Sequence, residues 1–212
     1  MVRGRRGMTG AVIWGLLVSS LAVIMVRRRS LAIALVASQS LGLGVYAITQ
    51  GSGTQVALVV AGTVLIAKAL VLPALLIFTV RRARKTRLIA TELPALARLA
   101  IVVAFALAVE QLIPRFGLPD ASVEHVAVGM LALGILTAVV RRAVLFQALG
   151  FLIAENGIYL AGLSLPGGLP VFIELGLVFD LVVIVSVAAA FTTKIYEQLG
   201  SGDSSLLGVL RD

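Results

Sequence analysis

The chain has 212 residues, 60% of them hydrophobic and 13% charged, with a net charge of +8 and a mean hydropathy of +1.10. Soluble domains carry ~45–50% apolar residues, so the composition excludes an ordinary soluble fold and points to one polytopic membrane domain over 1–212. With no cysteine and a single histidine, His125, the chain by itself cannot ligate an iron–sulfur cluster or a bis-histidine haem, which leaves proton, ion or structural work.

Seven apolar stretches follow one another, each near the ~20 residues that cross ~30 Å of hydrocarbon. They run over about 9–26, 31–49, 54–80, 93–113, 123–140, 144–165 and 170–195. The predicted fold class is all-α: a bundle of about seven transmembrane helices with a C-terminal tail, 196–212. The start MVRGRRGMTG has the basic character of a signal peptide. No small-residue cleavage site followed by a soluble domain comes after it, so 9–26 is read as a span. The third stretch is long, which predicts tilt or a kink at Pro73. Gly51-Ser52-Gly53 and the turn from Pro166 to Pro170 make tight connections. No short-period repeat is present.

The basic residues lie in clusters between the stretches, a pattern of membrane topology and not of nucleic-acid binding. With seven crossings, one side collects Arg27–Arg29, Arg81, Arg82, Arg84, Lys85, Arg87, Arg141, Arg142, Lys194 and Arg211. The other collects Arg3, Arg5, Arg6 and Arg115. Twelve against four puts the C-terminus in the cytoplasm and the N-terminus outside, with the three N-terminal arginines pulling the other way.

Two stretches carry a carboxylate near their middle. VLFQALGFLIAENGIYLA (144–161) holds Glu155, and VFIELGLVFDLVVIVSVAAA (171–190) holds Asp180. A charge at the bilayer centre costs at least ~2.5–3.5 kcal/mol, so it survives only with a partner, a proton or water. Lys68 lies inside TVLIAKALVLPALLIF and Gln39 inside ALVASQSLGLG. Counted from the cytoplasmic ends at ~1.5 Å per residue, Lys68, Glu155, Asp180 and Gln39 lie roughly 18, 17, 21 and 12 Å deep. Four polar groups from four spans thus share one slab. Pairing with Lys68 lowers an acid's pKa while apolar burial raises it, the balance a proton relay needs. Ser38, Gln39, Ser40 and Tyr159, one turn after Glu155, are candidates to hold linking water. The plainer expectation is that the same groups pin helices together, at ~0.6–2 kcal/mol per hydrogen bond. For Gln39 the two expectations weigh equally.

Glu174, near the start of its span, is read as interfacial. Arg98 lies one turn inside its span and is expected to snorkel. Glu110 lies near the far end of that span, and Glu124 and His125 open the fifth span at the outer surface. Gly150 and Gly157, seven apart, are expected to permit close helix packing rather than to form a nucleotide loop.

The segments VASQSLGLGVYAIT, LIAKALVLPALLIF, LGFLIAENGIYLAGLSL and FIELGLVFDLVVIV resemble hydrogenase-4 component E, a membrane subunit of group 4 [NiFe] hydrogenases. The resemblance is most specific at Lys68 with Pro73, at Glu155-Asn156-Gly157 and from Glu174 to Asp180. The last three spans also resemble the K subunit of respiratory complex I and the related antiporter C subunits. Aligning Gly150 and Asn156 with that subunit's Gly-x-Glu-x-x-x-Asn puts Leu152 at its acid. Glu155 stands three residues on, near the same helix face, and Asp180 falls at the second acid. The resemblance implies a subunit that moves protons through Glu155 and Asp180, with Lys68, Gln39, Tyr159 and Glu174 in support. It implies no cofactor in this chain, nickel–iron and iron–sulfur centres in partner subunits, antiporter-like membrane partners, and multi-pass residence in the cell membrane. Two other functions use the same residues: a subunit of a multisubunit cation/proton antiporter, and a purely structural membrane scaffold.

Overall fold

The computed structural model describes residues 2–50, 69–70, 74, 94–112 and 117–165. The elements found there are five α-helices: α1 (Val2–Met25), α2 (Arg29–Gln50), α3 (Ala95–Leu112), α4 (Ala121–Val140) and α5 (Val144–Leu163). Each coincides with a predicted span to within a few residues, except that α1 starts seven positions before 9. Its extra turns hold Arg3, Arg5 and Arg6, and arginine is a good helix former. The predicted spans 54–80 and 170–195 fall mostly or wholly outside the described residues, and with them Lys68, Glu174 and Asp180.

α4 and α5 are long and apolar enough to cross a membrane, and α1 and α3 contain the shorter apolar stretches Gly10–Met25 and Leu96–Val109. α1 packs on α2, α2 on α5, α5 on α4, and α4 on α1, which closes a ring of four. Ile33, Val36 and Leu43 of α2 meet Leu16 and Val23 of α1, Val126 and Met130 of α4, and Leu149, Ile153 and Leu160 of α5 in its interior. α3 lies outside the ring against α4 and α1, where Val102 joins Ile24, Leu133 and Leu136. Large apolar side chains also face outward, with Leu96 79%, Val139 75% and Val18 63% exposed. Apolar residues on both the inner and the outer faces suit a bundle solvated by lipid.

The helix directions alternate. Arg98 in the first turn of α3 and Arg141 just after α4 both donate through Nη1 to the carbonyl of Ile24, in the last turn of α1, at 3.2 and 3.3 Å. At the opposite end, Tyr46 near the end of α2 lies beside the side chain of Ser164, which follows α5. So α1 and α4 run toward one end of the bundle, and α2, α3 and α5 run away from it.

Local chemistry sets the helix ends. Asp120 caps α4, its carboxylate accepting from the N–H of Ser122 at 2.8 Å. Glu124 in the first turn accepts from the N–H of Leu118 at 3.1 Å and of Gly117 at 3.4 Å, which folds the preceding loop over the helix. Gly117 takes the left-handed conformation, φ 75°, that this reversal requires. Glu124, expected at the outer surface, is therefore buried beneath its own loop. The α4–α5 connection is only Arg141, Arg142 and Ala143, short enough to force an antiparallel hairpin.

Small residues bring that hairpin together. A Cβ on Gly150 would stand 2.6 Å from the carbonyl oxygen of Gly134 and 2.7 Å from the nitrogen of Ala138. One on Gly157 would stand 2.7 Å from the oxygen of Ala127. Backbone meets backbone at both levels, which is the packing that Gly150 and Gly157 suggest in the sequence.

Candidate functional site

α2 and α5 carry the predicted site residues that the described structure contains. Gln39 sits on the inward face of α2 and is 1% exposed. Its Nε2 reaches the carbonyl of Leu16 at 3.1 Å, the Ser19 hydroxyl at 3.0 Å and the Ser20 hydroxyl at 2.7 Å. Both serines in turn donate to the Leu16 carbonyl at 2.9 Å. The contacts of Gln39 all tie α2 to α1, and none goes to Glu155 or Tyr159. Of the two serines beside Gln39, Ser38 donates to Leu35 and Ser40 to Val36 of their own helix.

Glu155 is half-buried midway along α5. Phe151 and Ile158, one turn to either side on the same stripe, are about half exposed. The residue therefore stands at the border between the ring and its outer face, with its Oε2 buried. Asn156, the next residue, turns into the ring and is 2% exposed, as is Tyr159 one turn beyond Glu155. Gln39 and Glu155 lie at similar depth on neighbouring helices, yet they serve different faces.

The arginine pair is a feature that the sequence did not disclose. Arg98 and Arg141 are each 1% exposed. Their shared acceptor, the Ile24 carbonyl, is one of the last four of α1 and so has no partner within its own helix. The negative end of the helix dipole draws cations there. Arg141 also stacks on Phe146, its guanidinium carbon 3.6 Å from the ring centroid. Arg98, expected to snorkel outward, turns to α1 instead and donates to that acceptor. Among the described residues no three His, Asp or Glu side chains gather as metal ligands, and His125 binds the carbonyl of Ala121 at 2.6 Å through Nδ1.

Comparison with known proteins adds one relative. Over 86 residues the chain is 35% identical to the uncharacterized protein Rv0085 of Mycobacterium tuberculosis. The match covers 41% of this chain and 38% of that protein. No family model matches the chain, and no solved structure matches it.

Proposed function

We propose that this chain is a membrane-arm subunit of a hydrogenase-4-like, complex I-related oxidoreductase, and that it carries protons through Glu155 and Asp180 with Lys68 as the modulating cation. It spans the cell membrane seven times with its C-terminus in the cytoplasm. It works beside antiporter-like membrane subunits and peripheral subunits that hold the nickel–iron and iron–sulfur centres. The observation that carries this reading is the position of Glu155. A carboxylate half-buried at mid-length of an apolar helix is costly to keep, and its place between the ring and the outer face suits a group that passes protons across that border. In this reading Tyr159, one turn away, and Glu174, near the start of the last predicted span, serve the same path, with Gln39 anchoring the helix pair beside it.

The test is the Glu155→Gln variant in the complex extracted from native membranes with mild detergent. Normal complex yield with depressed proton movement per turnover supports the proposal, whereas unchanged coupling returns Glu155 to a packing role. Mass spectrometry of the same preparation identifies the partners. Antiporter subunits without any redox protein would place the chain in a cation/proton antiporter. A scaffold reading draws on the contacts of Gln39 and of the arginine pair, all of which join helices. It expects neutral replacements at Lys68, Glu155 and Asp180 to lower complex yield while activity per complex stays constant.

A further inference from the structure

Two carboxamides face the inside of the four-helix ring, and each leaves a polar atom over. Gln39 spends its nitrogen on α1, and its Oε1 has no hydrogen-bond partner among the described residues. Asn156 is in the converse position, since its Nδ2 is buried without an acceptor among the described residues. One helix thus supplies an unused acceptor and its neighbour an unused donor. Buried groups of this kind are rare because each forfeits a hydrogen bond it had in the unfolded chain.

The two atoms lie at one level. α2 and α5 are packed together and run in the same direction. Tyr46 and Ser164 stand side by side at one end and set their register. Measured back from that contact at ~1.5 Å per residue, Gln39 is about 10 Å down α2 and Asn156 about 12 Å down α5. Gln39 lies two turns from Tyr46, so it shares the α2 face that meets α5. Both side chains are at least 98% buried, among Val36, Leu43, Leu149 and Leu160.

We infer that the ring interior holds a bound water molecule that donates to Gln39 Oε1 and accepts from Asn156 Nδ2, linking α2 to α5 at mid-depth. The chemistry selects water over an ion or an organic ligand. Both groups are neutral, and one donor with one acceptor supplies two of the two to four partners a buried water needs. Water also satisfies the pair with both carboxamides turned over, since it donates and accepts with equal ease. This site is independent of proton transfer at Glu155 and stands even when Glu155→Gln leaves coupling unchanged.

Asn156 is the only asparagine in the sequence. Selective 15N-asparagine labelling of the full chain in detergent micelles therefore yields a single side-chain amide signal with no assignment step. The expected result is a dipolar cross peak between those amide protons and the water resonance, with the sign of a long-lived bound water. In Gln39→Leu that cross peak should disappear or weaken several-fold. A wild-type amide showing cross peaks to protein protons alone, or to the Gln39 side chain in place of water, would overturn the inference. The unsubstituted chain decides this, so a poorly folding variant does not protect the idea.

Discussion

Gln39 shares one nitrogen among three oxygens of α1, and two of those oxygens belong to hydroxyls that already bond the Leu16 carbonyl. Removing the carboxamide leaves that serine–carbonyl pairing intact, so the loss is limited to the interhelical bonds. Gln39→Leu should lower stability by about 1–2 kcal/mol, read as an earlier transition when unfolding is titrated with denaturing detergent. A variant as stable as the parent would remove Gln39 from the α1–α2 joint. Arg141 poses a sharper case, because its planar guanidinium both reaches Ile24 O and covers Phe146. Lysine keeps the charge and loses the stacked fork, so Arg141→Lys should cost about 1–3 kcal/mol in the same titration. Mid-depth polarity at Gln39 and Glu155 was legible from spacing alone. The direction each side chain takes was not, because it depends on which helix lies alongside. The shared carbonyl of Ile24 was likewise hidden, since a backbone acceptor has no letter in a sequence.

Between α4 and α5 the decisive feature is how little separates their backbones. At Gly150 the atoms that a Cβ would strike are the oxygen of Gly134 and the nitrogen of Ala138, and neither can move without its helix. Gly150→Ala should therefore cost about 1–3 kcal/mol as an overpacking change. Gly15 of α1 is the control within the same fold, with no atom of the described residues within 4 Å of the added methyl group. There alanine should be neutral or stabilise by about 0.5–1 kcal/mol, since glycine gives up more backbone freedom in a helix. Gly129 lies between these cases, because only the flexible tip of Leu17 stands in the way. Equal effects of alanine at positions 15 and 150 would show that the close contact at 150 costs nothing. The seven-residue spacing of Gly150 and Gly157 disclosed that α5 has a close partner. It did not name α4, and Gly134 is found opposite only because the short connection makes the two helices antiparallel.

For the whole bundle, the arginine pair and the Tyr46–Ser164 contact mark two ends that composition alone could only infer from the count of basic residues. Arg27–Arg29, Arg98, Arg141 and Arg142 all lie at the end where α1 finishes and α2, α3 and α5 begin. Asp120, Ser122 and His125 open α4 at the other end. The alternation of the five described helices is compatible with the proposed seven crossings. Val18, Leu96 and Val139 are exposed, as side chains facing lipid in such a bundle would be. The orientation admits a direct test because the chain has no cysteine of its own. Single cysteines at Arg28, Arg142 and Ser122 report their side of the membrane through a thiol reagent that cannot cross it. All three positions are exposed, so reactivity reflects side and not burial. In intact cells the reagent should modify Ser122→Cys alone. In inverted vesicles it should modify Arg28→Cys and Arg142→Cys and spare Ser122→Cys. Modification of Arg28→Cys and Ser122→Cys from the same side would break the alternation and detach α1 from the crossing scheme. The reverse of the expected pattern at all three would keep the bundle and overturn the cytoplasmic C-terminus, because the ends would be right and the membrane upside down.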